Sequence, residues 1–385
     1  MSAEPRLTEH ERALYARQLR LPGVGEAGQL KLRAAKVLLL GAGGLGSPVG
    51  LYLAAAGVGT LGIADPDKVE VSNLHRQILH GFDTLGLPKT ISAAEALAEV
   101  NPGLTIVLHP EGFKPENAAE LVARYDLVVD GTDNFATRFL AADACVLGRK
   151  PLVHGSVLRA EGQVGVFLPA AGCYRCVYPV MPDPASVPTC AEGGVFGATC
   201  GVIGSWMASE VIALLLGQRR ESRLQVVDMM AGTSRVLRLS ADPACPACGV
   251  SPSLRDLAPT RYAATCSATP LSAPTTMSSH PLEVSIEEAH RQLVSAQPPF
   301  LLDVREPSEF AICQLPGAKL IPLNSIPERL AEIPRDVPVL VHCHHGGRSM
   351  KVTQFLRAKG YALVANVQGG IDAWSLKIDP KVRRY

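Results

Sequence analysis

The chain has no excess of charge of either sign: 37 lysines and arginines stand against 36 aspartates and glutamates in 385 residues. It therefore has no global basic field of the kind that draws a protein to nucleic acid, and no nucleic-acid partner is expected. It also lacks a long uninterrupted hydrophobic run. The best candidate, GVIGSWMASEVIALLLG (201–217), is short for a bilayer and carries Glu210 in its middle, so no membrane span is expected. The opening residues, MSAEPRLTEHERALYARQLR, are charged and show no apolar export signal. The cytoplasm is the expected compartment.

Against these absences stand 47% apolar residues, ample for packed cores, and a length that favours two domains. Ten cysteines without an export signal point to metal or thiol chemistry in a reducing compartment rather than to a disulfide scaffold. From residue 36 to 67, KVLLLGAGGLGSPVGLYLAAAGVGTLGIADPD reads as buried strand, glycine turn, apolar helix and strand. A helix around 88–100, strand TIVLH (105–109), a helix at 115–124 and strand DLVVD (126–130) continue the alternation. Further strands are expected near 151–154, 163–168, 224–228 and 235–240, with a helix at 201–217. This rhythm predicts an α/β, doubly wound, Rossmann-like first domain over 1–250. Residues 251–280 are rich in Ser, Thr, Ala and Pro and read as a linker. A small second α/β domain follows over 281–385, with strands FLLDV (300–304), PVLVHC (338–343) and ALVANV (362–367) and helices at 285–295 and 348–359.

The turn GAGGLG sets Gly41, Gly43, Gly44 and Gly46 between strand and helix, where backbone N–H groups favour an anion. Asp65 ends the next strand, as a carboxylate holding a ribose hydroxyl would. Both features suit NAD as well as ATP. The residues that follow separate the two. DPDKVEVSNLHRQILH and GLPK bring Asn73, Arg76, Gln77 and Lys89 into one region, and DGTDN adds Asp133 after a strand. A dinucleotide oxidoreductase has no need of fixed cations around its pyrophosphate. Attack at an α-phosphate does need them, together with a carboxylate for magnesium.

Together these motifs resemble the molybdopterin-synthase adenylyltransferase (MoeB/ThiF) family, related to ubiquitin-activating enzymes, across roughly 5–250. The resemblance implies ATP-dependent adenylation of the C-terminal Gly-Gly carboxylate of a ubiquitin-like sulfur-carrier protein. By position it implies ATP binding through the four turn glycines, Asp65, Ser72, Asn73, Leu74, His75, Arg76 and Lys89. It places magnesium on Asp133, with Asn134 beside it. It also implies a homodimer in which Arg17 reaches into the neighbouring subunit's site.

The pairs CYRC (Cys173, Cys176) and CPAC (Cys245, Cys248) suit a closed tetrahedral zinc site, with a redox dithiol as the alternative. The family resemblance supports zinc. Cys190, at the end of the Pro-rich stretch PVMPDPASVPTC, is a candidate for attack on the acyl-adenylate or the sulfur donor. Its bland alternative is a buried structural thiol. Cys145, Cys200, Cys266 and Cys313 have no such context and read as structural.

VHCHHGGRSM (341–350) presents a second candidate site. Four residues separate Cys343 from Arg348, one fewer than the phosphate loop of cysteine phosphatases. The tighter nest of N–H groups suits a small anion such as a terminal persulfide sulfur. With FLLDVREPSEF and QLPGAKLIPL the region resembles single-domain rhodaneses across about 280–385. That resemblance implies a persulfide on Cys343, loaded by a cysteine desulfurase or thiosulfate. Asp303, Arg305 and Glu309 are expected to brace the fold. The two halves together predict adenylation followed by sulfur transfer to give a thiocarboxylate. Molybdopterin, thiamine, cysteine, tRNA-thiolation and siderophore-type carriers all share this chemistry. The alternatives are a non-catalytic scaffold tethering a rhodanese, and an NAD oxidoreductase fused to a phosphatase.

Overall fold

The structure is a computed structural model that describes residues 6–169, 171–182, 194–262 and 281–384. The chain divides into two compact units, Met1–Ser267 and Ala268–Tyr385.

In the first unit, helices α1 (Glu9–Leu14) and α2 (Gly25–Ala34) precede strand β1 (Lys36–Leu40). Next come α3 (Gly46–Ala56), β2 (Thr60–Ala64), α4 (Lys89–Val100), β3 (Thr105–His109), α5 (Pro115–Arg124), β4 (Leu127–Asp130) and α6 (Phe135–Gly148). The unit is completed by β5 (Leu152–Leu158), β6 (Glu161–Phe167), α7 (Tyr174–Val177), α8 (Gly197–Leu215), β7 (Arg223–Asp228) and β8 (Thr233–Arg238). The eight strands form one sheet in the order β3-β2-β1-β4-β5-β6-β7-β8. Pairing is parallel from β3 through β5 and antiparallel from β5 to β8.

KVLLL shows no polar alternation because both faces of β1 are covered, and alternate side chains enter different cores. Val37 and Leu39 pack with Val49 and Leu53 of α3 and with Ile203, Met207 and Val211 of α8. Leu38 and Leu40 pack on the other face with Leu121 of α5 and Phe139 and Leu140 of α6. Each fully buried Leu or Val contributes about 1.5–3 kcal/mol of transfer free energy. The doubly wound expectation holds, and the adjacent order β2-β1-β4 makes the end of β1 a topological switch point.

Helix α8 begins four residues earlier than expected. It is long and apolar enough to cross a bilayer, yet one face is fully buried in the core. Its buried Glu210 is paired with Arg219 at 2.8 Å and with Arg223. It is a core helix of this unit.

In the second unit, β9 (Glu283–Val284), β10 (Phe300–Asp303), β11 (Lys319–Leu320), β12 (Val339–His342) and β13 (Val364–Val367) form an all-parallel sheet in the order β11-β10-β12-β13-β9. Helices α9 (Ile286–Leu293), α10 (Pro307–Ile312), α11 (Gly347–Ala358) and α12 (Gly370–Lys377) accompany it. Val339 and Val341 pack with Val352 and Leu356 of α11, whereas Leu340 packs with Ile371 and Trp374 of α12. Helices α10 and α12 were not anticipated from the sequence.

The expected linker began at 251, but packing extends further. Leu254 and Tyr262 are both buried in cores of the first unit.

Candidate active sites

The first site lies beyond the carboxyl ends of β1, β2 and β4, in a cleft of about 260 Å³. Its floor is the turn after β1. Gly46 must be glycine, since a Cβ there would sit 1.9 Å from the Gly41 carbonyl oxygen. Asp65 accepts the Ala42 N–H at 2.8 Å on one carboxylate oxygen and the Asp67 N–H at 2.9 Å on the other. It thus fixes the turn while lining the cleft. Burial raises the Asp65 carboxyl above its ordinary range, and Lys89 together with the two backbone donors pulls it back. His80 buttresses the same turn through Ala42 O at 2.9 Å and Ser92 Oγ at 2.8 Å.

Cations enter from several segments. The buried Lys89, first residue of α4, reaches Asp67 Oδ2 at 2.8 Å. Arg76 is held by three residues of its own turn: Ser72 O at 3.0 Å, His75 Nε2 at 2.9 Å and Asn73 Oδ1 at 3.2 Å. Asn73 Oδ1 also accepts from Gln77. Lys114 and Arg138 complete the basic lining.

Asp133 faces the cations from the β4–α6 turn, and Asn134 caps α6 by accepting the Thr137 N–H at 2.9 Å. The turn is anchored from below by Asp130, which is fully buried. It accepts from Thr132 N–H and Oγ1 and meets His154 Nδ1 at 2.8 Å. Burial holds His154 below its ordinary pKa despite this carboxylate. Such a cleft can neutralise a polyphosphate while offering one carboxylate to a divalent cation.

The second site belongs to the other unit. Cys343 follows β12, and Gly346 turns the chain in the left-handed region at φ +99° to start α11. The buried Sγ accepts the Gly346 N–H at 3.2 Å and lies 3.4 Å from Ser349 Oγ. From outside, the start of α12 holds the loop. Ile371 N–H donates to Cys343 O at 2.9 Å and Asp372 N–H to His344 O at 3.1 Å. Gly370, at φ +59°, leaves no room for a Cβ, which would lie 2.4 Å from both carbonyl oxygens. Arg348 is bound to Glu309, and Asp303 and Arg305 form a fully buried pair at 2.6 Å. The bracing role expected of Asp303, Arg305 and Glu309 is what these contacts show.

The third is the cysteine cluster, where Cys173, Cys176, Cys245 and Cys248 bring their sulfurs within 4.8 Å of one another. The separations are 3.9 Å for Cys173–Cys176, 3.5 Å for Cys173–Cys245 and 3.4 Å for Cys176–Cys248. A tetrahedral zinc with Zn–S of about 2.3 Å holds its ligands about 3.8 Å apart, so the donor set fits that ion.

Residues 15–247 match the profile described as the ThiF family, and residues 285–377 match the rhodanese-like domain.

The chain belongs to the ThiF family.

Its relatives share both domains. It is 42% identical over 392 aligned positions to adenylyltransferase and sulfurtransferase MOCS3 of Drosophila sechellia, covering 99% of this chain and 86% of that protein. MOCS3 of Bos taurus is also 42% identical, covering 98% and 89%. Probable adenylyltransferase/sulfurtransferase MoeZ of Mycobacterium tuberculosis strain H37Rv is 39% identical, covering 98% and 96%. A crystal structure of E. coli MccB shares the fold at TM-score 0.56 and 22% identity, covering 64% of this chain and 75% of that one. The chain is thus an enzyme, an adenylyltransferase and sulfurtransferase.

Within the ThiF domain, the expected residues Gly41, Gly43, Gly44, Asp65, Arg76, Lys89, Asp133 and Asn134 all line one cleft. Gly46, Ser72, Asn73, Leu74 and His75 do not line it. Gly46 permits the close packing beneath, Leu74 is half-buried in the turn, and the other three position Arg76. Arg17 is exposed just before a 3-10 turn (Gln18–Arg20) and is not a lining residue. Cys190 and Cys266 lie outside the described residues. Sequence reading missed Asp67, Lys114 and Arg138, and treated Cys200, a lining residue packed against Gly44, as structural. Only the second acid of the DPD run, two residues after Asp65, hinted at Asp67; Lys114 and Arg138 come from separate elements with no shared motif.

Proposed function

We propose that this chain adenylates the C-terminal Gly-Gly carboxylate of a ubiquitin-like sulfur-carrier protein with ATP. It then transfers sulfur from a Cys343 persulfide, giving a thiocarboxylate and AMP. The observation that carries this reading is the convergence of Arg76, Lys89 and Asp133 on one cleft, in a chain that also buries a cysteine in an N–H-lined loop.

In this reading the carrier carboxylate oxygen attacks the α-phosphorus and pyrophosphate departs. Arg76 and Lys89 neutralise the charge that develops on the phosphoryl oxygens. A magnesium ion held by Asp133 supplies further charge neutralisation when bound. Activation turns a carboxylate oxygen into a leaving group. The terminal persulfide sulfur then displaces AMP to form an acyl disulfide with Cys343. A thiolate attacking the Cys343 sulfur breaks that S–S bond, releases the thiocarboxylate and is left in a disulfide with Cys343, which an external thiol reductant opens before the next turnover. Cys190 is the chain's own candidate for that attacking thiolate. Structural zinc on the four clustered cysteines, a homodimer using Arg17 in trans, a cysteine desulfurase or thiosulfate as sulfur donor, and a cytoplasmic location complete the proposal.

The test is intact-mass analysis of Gly-Gly carriers incubated with the enzyme, ATP and thiosulfate. An adenylated carrier followed by replacement of oxygen by sulfur is expected. Cys343→Ala should retain ATP–pyrophosphate exchange and lose the thiocarboxylate. Undiminished thiocarboxylate from that variant would refute the coupling.

A further inference from the structure

The chain leaving the ThiF domain is fastened to that domain at two points, the first at the cysteine cluster and the second at helix α6. Leu254 is buried against Cys173, Cys245 and Ala247, and its N–H donates to Pro246 O at 2.9 Å. Eight residues on, Tyr262 is buried, and its hydroxyl donates to Asp143 Oδ2 at 2.8 Å.

Asp143 lies on α6 and is fully buried. Its main counter-ion is Arg175, which binds it with two prongs, Nε to Oδ1 at 2.6 Å and Nη2 to Oδ2 at 2.7 Å. Arg175 stands between the first two cysteines of the cluster, and its guanidinium covers the Phe139 ring at 4.8 Å. The order of dependence is therefore cysteine knuckle, Arg175, Asp143, Tyr262. A buried carboxylate that loses a two-pronged arginine is left largely uncompensated, and one phenol cannot replace that arginine. Burial first, and Asp143 second, push the Tyr262 hydroxyl well above its ordinary range, so it remains a donor at any working pH.

We infer that metal occupancy of the four-cysteine site clamps residues 250–262 onto the ThiF domain through the Arg175–Asp143–Tyr262 relay, with Tyr262 as the anchor from which the chain leaves toward the sulfurtransferase domain. The inference rests on the zinc reading of the cluster and goes beyond it. The metal then sets where the tether begins as well as stabilising the fold. Loss of the metal releases residues 250–262 from the ThiF domain.

Hydrogen exchange with mass analysis of the full chain tests this, paired with zinc content measured on the same samples. With zinc bound, amides of 250–262 should be protected. Chelation by 1,10-phenanthroline should lower that protection about tenfold or more while β1 stays protected. Tyr262→Phe should lose protection at 256–262 only, with zinc content and ATP–pyrophosphate exchange unchanged. If chelation also exposes β1, the chain has unfolded globally. Arg175→Gln, measured with zinc retained, then decides: its 256–262 segment should be deprotected. Protection of 250–262 that survives zinc removal, or survives both substitutions, overturns the clamp while leaving the zinc site standing. A purified chain without zinc overturns the metal reading and the clamp together.

Discussion

Arg348 closes a two-pronged ion pair on Glu309, Nη1 to Oε2 at 2.6 Å and Nη2 to Oε1 at 2.7 Å, across 39 residues of chain. Both side chains are mostly buried. The pair secures the first turn of α11, whose start carries the Gly346 N–H that faces Cys343. Glu309→Ala should cost about 1–3 kcal/mol of stability in the second unit, because a mostly buried arginine loses this two-pronged carboxylate. Sulfur transfer should fall about tenfold, a loss of roughly 1.4 kcal/mol in the transition state. ATP–pyrophosphate exchange should not change. Wild-type transfer rates in this variant would show that the pair does not shape the loop.

The two chemistries should separate by mutation. Lys89→Ala removes a buried cation from the cleft, and ATP–pyrophosphate exchange should drop about 10²–10³-fold, as when one preorganised charge-stabilising donor is lost. Loading of Cys343 with sulfur, read by alkylation and mass, should remain at the wild-type level. A parallel fall in loading would contradict the assignment of the two steps to different sites.

Gly46→Ala tests the floor of the cleft. The added carbon would meet the Gly41 carbonyl at 1.9 Å, and backbone cannot yield as a flexible side chain does. A destabilisation of about 1–3 kcal/mol in the first unit is expected, with loss of ATP binding by equilibrium dialysis. Unaltered binding would mean that the turn adapts freely.

Mild acid should weaken the first unit through its buried histidines. Burial is the leading cause that holds His80, His109 and His154 below the ordinary histidine value. The unfolded chain takes up these protons near pH 6.5 and the folded chain resists them. Stability is therefore complete above that pH and falls as pH drops below it toward the folded values. The slope is at most about 1.4 kcal/mol per pH unit for each histidine. Calorimetry between pH 7.5 and 5.5 should show a falling Tm, with a shallower fall in His154→Gln. A flat profile over that range would count against buried, neutral histidines.

Much of the fold could be read before the structure. Strands such as KVLLL and TIVLH announce themselves because two-sided burial removes polar alternation, and helix 115–124 shows its amphipathic period. Short elements were less legible. β9 and β11 are two residues each, too brief for a period, and α12 begins with a double glycine that reads as a turn. The end of the first unit was missed for a different reason. Residues 250–262 carry few large apolar side chains, and the burial of Leu254 and Tyr262 depends on partners such as Cys173 and Asp143 that are distant in sequence.

The sequence by itself determined the chemistry. Glycine spacing, the basic run around Arg76 and Lys89, paired C-x-x-C motifs and the four-residue gap after Cys343 are local patterns dictated by backbone and ligand geometry. Tertiary structure decided which of those residues face the reactants. Ser72, Asn73 and His75 share a turn with Arg76, yet their side chains or carbonyls point back to hold it, because a cation fixed near a phosphate needs its own scaffold. It also decided that Tyr262 answers to Asp143, 119 residues earlier. Long-range partners of that kind are set by how layers pack, and no local pattern records them.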